Sequence, residues 1–165
     1  MADLLAVHSP EARRALRQAY RAAVWIGAAM IASVVTYGVV ARVIAARQAP
    51  FAGFVRLPQI GVVRLLLYAF AAVQIVLIRL LRSAPLAKPA ALDLRALIQR
   101  RHAATVVTYA FCEVPALLGL ILLLLNGFFG HFYVPPLLSL VLFAAYFRRF
   151  DAWVQWAAAA AGPAR

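Results

Sequence analysis

The chain has 165 residues, of which 66% are apolar and only 13% charged, with a formal net charge of +12. Its mean hydropathy is +0.88 and its isoelectric point about 11.4. Soluble domains run at about 45–50% apolar and about 25% charged, so this composition excludes an ordinary soluble fold. Eight glycines and nine prolines without a period also exclude a fibrous or disordered chain. The lone Cys112 excludes a disulfide framework, a CxxC redox pair and a thiolate metal site. What remains is a small all-α integral membrane protein.

From the N-terminus, Ser9-Pro10-Glu11 reads as a helix start: a capping hydroxyl, a proline in the first turn and an acid near the positive end of the helix. Residues 1–21 form a basic segment, with Arg13, Arg14, Arg17 and Arg21, expected to lie at the headgroups before the chain turns into the bilayer. Four apolar runs follow, at 22–41, 60–78, 103–126 and 129–147, each close to the ~20 residues that cross ~30 Å of hydrocarbon. They are too long and too continuously apolar for barrel strands, so four transmembrane helices are expected. The first exceeds the ~7–15 residues of a signal-peptide core and is expected to be retained.

Between the second and third runs, Ser83 to Pro89 reads as a breaker, and Leu92 to Arg101 as a short amphipathic helix. After the fourth run, residues 148–165 form a tail in which Trp153 and Trp156 suit a membrane interface. The alanine run there is expected to stop at Gly162-Pro163. A faint repeat sets Gly38 over Gly119 and Ala32 over Glu113, which would make the molecule two parallel helical hairpins.

Basic residues fix the expected orientation. Arg13, Arg14, Arg17 and Arg21, the middle connection from Arg79 to Arg101, and Arg148, Arg149 and Arg165 all fall on one side. Arg42, Arg47, Arg56 and Arg64 fall on the other. Positive flanks favour the cytoplasm, so both termini are expected inside, with the protein in the inner (plasma) membrane. In a soluble protein the same charge would point to nucleic acid. Here the arginines edge apolar runs, and the expected partners are anionic lipid headgroups together with other membrane subunits or further copies of the chain.

Glu113 is the residue most able to carry chemistry. It lies near the middle of the third run, where a central ionised acid costs about 2.5–3.5 kcal/mol on insertion scales. Desolvation there favours the protonated form. Pro115, two residues on, cannot donate to the carbonyl of Phe111 and opens the helix beside the acid. The readings are a proton or cation site, or a carboxyl that merely joins two helices. Ser33, Thr36, Tyr37, Gln74, Thr108 and Tyr109 lie at depths from which a hydroxyl or amide could reach it. Arg64 is expected to snorkel to the outer headgroups. His8, His102 and His131 are not spaced as metal or haem ligands, so no metal and no cofactor is expected.

The stretch Phe111-Cys112-Glu113-Val114-Pro115-Ala116-Leu117-Leu118-Gly119-Leu120-Ile121 resembles the ion-carrying helix of the proteolipid c subunit of rotary ATPases, in which a mid-helix acid precedes small and aliphatic residues. That resemblance implies that Glu113 binds a proton. The chain departs from the family in offering only Gly61 on the second span, and more than twenty residues in the connection that follows. A looser resemblance, through Glu113 and Pro115, is to membrane-associated glutathione and eicosanoid enzymes, which would imply a thiol cofactor; Ala110 stands where their asparagine would be.

Overall fold

The computed structural model describes residues 9–48, 51–55, 60–83, 94–127, 129–147 and 150–160. All regular structure among them is helical: α1 (Pro10–Arg47), α2 (Ile60–Ser83), α3 (Leu94–Asn126), α4 (Phe129–Phe132), α5 (Val134–Tyr146) and α6 (Phe150–Ala160). Three of these, α1, α2 and α3, are long and apolar enough to cross a membrane. The breaker at Ser83 to Pro89 lies almost wholly outside the described residues, as do Arg148, Arg149, Gly162 and Pro163.

The start of α1 follows the expected chemistry. Ser9 is extended and its Oγ accepts from the amide of Ala12 at 3.1 Å, with Pro10 and Glu11 in the first turn. The helix then runs unbroken for 38 residues, about 57 Å at the helical rise. The basic segment is therefore the first three turns of the same rod, not a separate stretch that bends into the bilayer. No proline or glycine pair between Ala12 and Ala22 supplies a bend. For the same reason the amphipathic piece expected before the third run is the beginning of α3, which spans 33 residues.

The fourth apolar run departs from expectation. Residues 129–147 are not one continuous helix: a four-residue turn, α4, ends at Phe132, and the 13-residue α5 begins at Val134. Pro135 and Pro136 explain the break. Neither has an amide proton to bond the carbonyl four residues back, and their rings crowd that preceding turn. Placed at the start of α5, they cost it little.

α3 is the hub, packing along α1, α5 and α2. α1 and α2 make no comparable contact with each other, so the expected first hairpin of a two-hairpin repeat is not a packed pair. Three apolar clusters succeed one another along the bundle. At one end Leu16 and Ala23 of α1, Ile98 of α3, and Trp153 and Ala157 of α6 pack together. In the middle, Val34, Ile78, Tyr109, Cys112, Ala116, Leu142 and Phe143 join four helices. At the far end Ala41, Leu123 and Phe132 meet. α1 and α3 therefore run parallel, α5 runs back beside them, and α6 returns the chain to the end where α1 begins.

The far end of α3 is closed by the segment after α1. A helix leaves its last four carbonyls without partners. Here Gly127 donates to Leu123 O at 2.7 Å, Phe54 to Leu124 O at 2.9 Å and Val55 to Leu125 O at 3.3 Å. Gly127 has a φ of 69°, the left-handed geometry that ends helices. A Cβ there would fall 2.4 Å from Phe51 O, so glycine is required twice over.

A carboxyl held between two helices

Glu113 faces α1 from the middle of α3. The hydroxyls of Ser33 and Tyr37 both hydrogen-bond the same carboxyl oxygen, Oε1, Tyr37 donating at 2.6 Å. Their four-residue spacing places them on one face of α1, a turn apart, so both reach a single point on the neighbouring rod. Ser33 Oγ also lies 2.7 Å from the carbonyl of Met30, one turn back in its own helix. All three side chains are half-buried. Glu113 is thus neither bare in the bilayer nor at a helix end.

The remaining candidates divide. Thr108 donates to Ala104 O at 2.7 Å and Thr36 to Ala32 O at 2.9 Å, both within their own helices; this is the ordinary fate of a hydroxyl in an apolar helix. Tyr109 is buried in ring packing, stacked on Phe147 at 5.6 Å and 14° and tilted against Phe143 at 5.9 Å. Gly27 makes room for that stack: a Cβ there would lie 2.8 Å from Phe147 and 2.9 Å from Tyr109. Gln74 is 1% exposed, one turn before Ile78 of the central cluster, and its Oε1 is buried without a hydrogen-bond partner. Of the expected partners, Ser33 meets Glu113, Thr108 and Tyr109 are engaged elsewhere, and Gln74 makes no hydrogen bond through its Oε1.

The amide that follows Pro115 is met by a residue that the sequence reading passed over. Ser139 of α5, wholly buried, accepts from the amide of Ala116 at 2.9 Å. One turn further on, Gly119 brings α3 against Pro135, whose Cβ would be 2.9 Å from an added Cβ. The signal was present as one serine in an apolar run, four residues after Pro135. Read by hydropathy alone, it was merely tolerable.

Cys112 is buried, and His102 Nδ1 lies 3.2 Å from Ala19 O, tying α3 to α1 near the basic end. The side chains of Arg64 and His131, and all of His8, lie outside the described residues. Among the described residues no group of three or more His, Cys, Asp or Glu side chains could hold a metal ion. No family model matches the chain, and no curated protein or solved structure matches it either.

Proposed function

We propose that the chain is a four-span protein of the inner (plasma) membrane with both termini cytoplasmic, a small subunit of a larger membrane assembly or of a self-assembly, in which Glu113 holds and exchanges a proton. The return of α6 to the end where α1 begins supports an even number of crossings, with α4 and α5 together as the fourth. Seven basic residues of α1 and α3 (Arg13, Arg14, Arg17, Arg21, Arg95, Arg100 and Arg101) lie at that end against Arg42 and Arg47 at the other, which supports its cytoplasmic placement. The outward side of α2, with Leu65 68% and Leu66 64% exposed, leaves room for lipid or for neighbouring subunits.

The observation that carries the proton reading is a count of hydrogens. A hydroxyl owns one proton, yet Ser33 Oγ lies at bonding distance from two acceptors, Met30 O and Glu113 Oε1. Each contact has a hydrogen of its own when the carboxyl holds a proton itself. Glu113 then donates to Ser33, Ser33 donates to Met30 O, and Tyr37 donates to Oε1. Loss of that proton leaves the serine hydrogen to serve one of two acceptors, and the carboxylate keeps Tyr37 as a donor. The cluster thus has two workable proton inventories, as a relay site requires. The c-subunit-like stretch around Glu113 points to the same chemistry.

Reconstituted in liposomes under a pH gradient, the native chain is expected to pass protons faster than Glu113→Gln. Equal fluxes would reject the relay. A second reading, a carboxyl that only joins α1 to α3, draws on the same cross-helix contact and predicts equal flux with lowered stability.

A further inference from the structure

Toward the far end of α1, one face of the helix forms a groove of about 490 Å³, walled by Val35, Val39 and Val43 and closed on one side by Tyr133. Its floor is Gly38. An added Cβ there would meet nothing within 4 Å, unlike Gly27 and Gly119, where close neighbours demand glycine. Gly38 is therefore not explained by packing inside the chain; what it leaves is space. Arg42 lines the same groove, which continues past it to Val43 and Ala46, and its guanidinium lies over the Tyr133 ring at 5.7 Å. That contact fixes the position of the charge while leaving its hydrogen-bond donors free to point along the surface.

Among the described residues no acid is placed to answer Arg42. Between Glu11 and Asp93 the sequence has none. Glu11 and Asp151 lie at the opposite end of the bundle, and Glu113 is engaged by Ser33 and Tyr37. Burying the arginine against the apolar helix of a second copy, with no counter-charge, would be costly.

We propose that this groove binds one anionic phospholipid, an acyl chain lying along Gly38 between the valines and the headgroup phosphate on Arg42. The lining follows α1, with Val35, Gly38 and Val39 on the side of the apolar run that ends at Arg42, so the order of greasy and charged parts matches that of a lipid in the outer leaflet. The inference rests on the membrane reading above. Phosphate takes the guanidinium fork in paired hydrogen bonds, whereas a zwitterionic headgroup meets Arg42 with its own cation nearby.

The test uses the full chain in mild detergent, titrated with phosphatidylglycerol and phosphatidylcholine of identical acyl chains, with bound lipids counted by native mass spectrometry. One phosphatidylglycerol is expected to bind about tenfold more tightly than phosphatidylcholine, with Arg42→Gln removing most of that preference. Gly38→Leu, whose Cβ meets nothing within 4 Å, is expected to stay folded by circular dichroism and to weaken both lipids. Arg17→Gln, at the opposite end, should change neither. The proposal is overturned if Arg42→Gln keeps the preference, if Arg17→Gln abolishes it, or if Gly38→Leu binds both lipids as the native chain does. Failure of the membrane reading would look different: the native chain would stay in the supernatant when sedimented with vesicles.

Discussion

Tyr37 and Glu113 stand 76 residues apart in the chain and share a 2.6 Å hydrogen bond across the seam between α1 and α3. Ser33 reaches the same oxygen from one turn away, so three side chains form one unit and their substitutions should not add. Tyr37→Phe and Glu113→Gln are each expected to lower stability. In a double-mutant cycle they should show a coupling of about 0.6–2 kcal/mol. Denaturant titration of the four proteins in detergent measures it. Additive losses would mean that the bond contributes nothing.

Ser139→Ala should cost about 1–3 kcal/mol, because the Ala116 amide loses its acceptor in a site that no water reaches. The cost belongs to the opening made by Pro115. With Pro115→Ala the turn can close and the amide can bond within its own helix, so Ser139→Ala should cost less in that background. Thermal unfolding of the two single variants and the double variant decides it. An equal cost in both backgrounds would separate the serine from the proline.

Three spans were legible in the sequence because span length is a one-dimensional property, and α1, α2 and α3 contain the apolar runs that hydropathy marks. The joins were not. Hydropathy marks where water-loving residues begin, which is not where a helix begins, so the basic starts of α1 and α3 were read as separate pieces although their backbones continue. The break before Val134 was written in Pro135-Pro136, but a hydropathy window averages prolines away. At the site, depth along a helix put Ser33, with Thr36 and Tyr37 one turn outward, among the residues able to reach Glu113, but did not single out Tyr37. Depth says nothing of facing, and so Thr108, which bonds its own helix, and Tyr109, which belongs to an aromatic stack, could not be set apart. Ser139 and the segment 51–55, which close the gap at Pro115 and the end of α3, answer backbone groups. Such needs appear only once the helices are side by side.

The glycines should respond in opposite directions. Gly119→Ala drives a methyl into the Pro135 ring, which cannot move without moving the start of α5, and is expected to cost about 1–3 kcal/mol. Gly27→Ala meets the edges of two rings that can slide, and should cost less. Gly38→Ala touches nothing and should gain up to about 1 kcal/mol from helix propensity alone. Midpoints of thermal unfolding rank the three, and any other order would contradict the packing described.

Trp153 is the post on which the basic end of the bundle is built. It is 2% exposed, packs with Leu16, Ala23 and Ile98, meets Tyr20 edge-on at 5.9 Å and lies under Arg101 at 5.8 Å. Arg101 also covers Trp156 at 5.0 Å, so one guanidinium bridges two rings of α6. Trp153→Ala should therefore cost about 3–5 kcal/mol, a loss that falls on α6 because its cluster is separate from the one around Tyr109 and Cys112. Hydrogen exchange is the measurement that locates the damage. Amides of α6 are expected to lose protection while those of α3 near Leu123 keep theirs. Arg101→Lys retains the charge but not the flat cation, and should loosen α6 by a smaller step of about 0.5–1 kcal/mol. Uniform loss of protection through α3 in the Trp153 variant would show that α6 is part of the same cooperative unit and not a cap upon it.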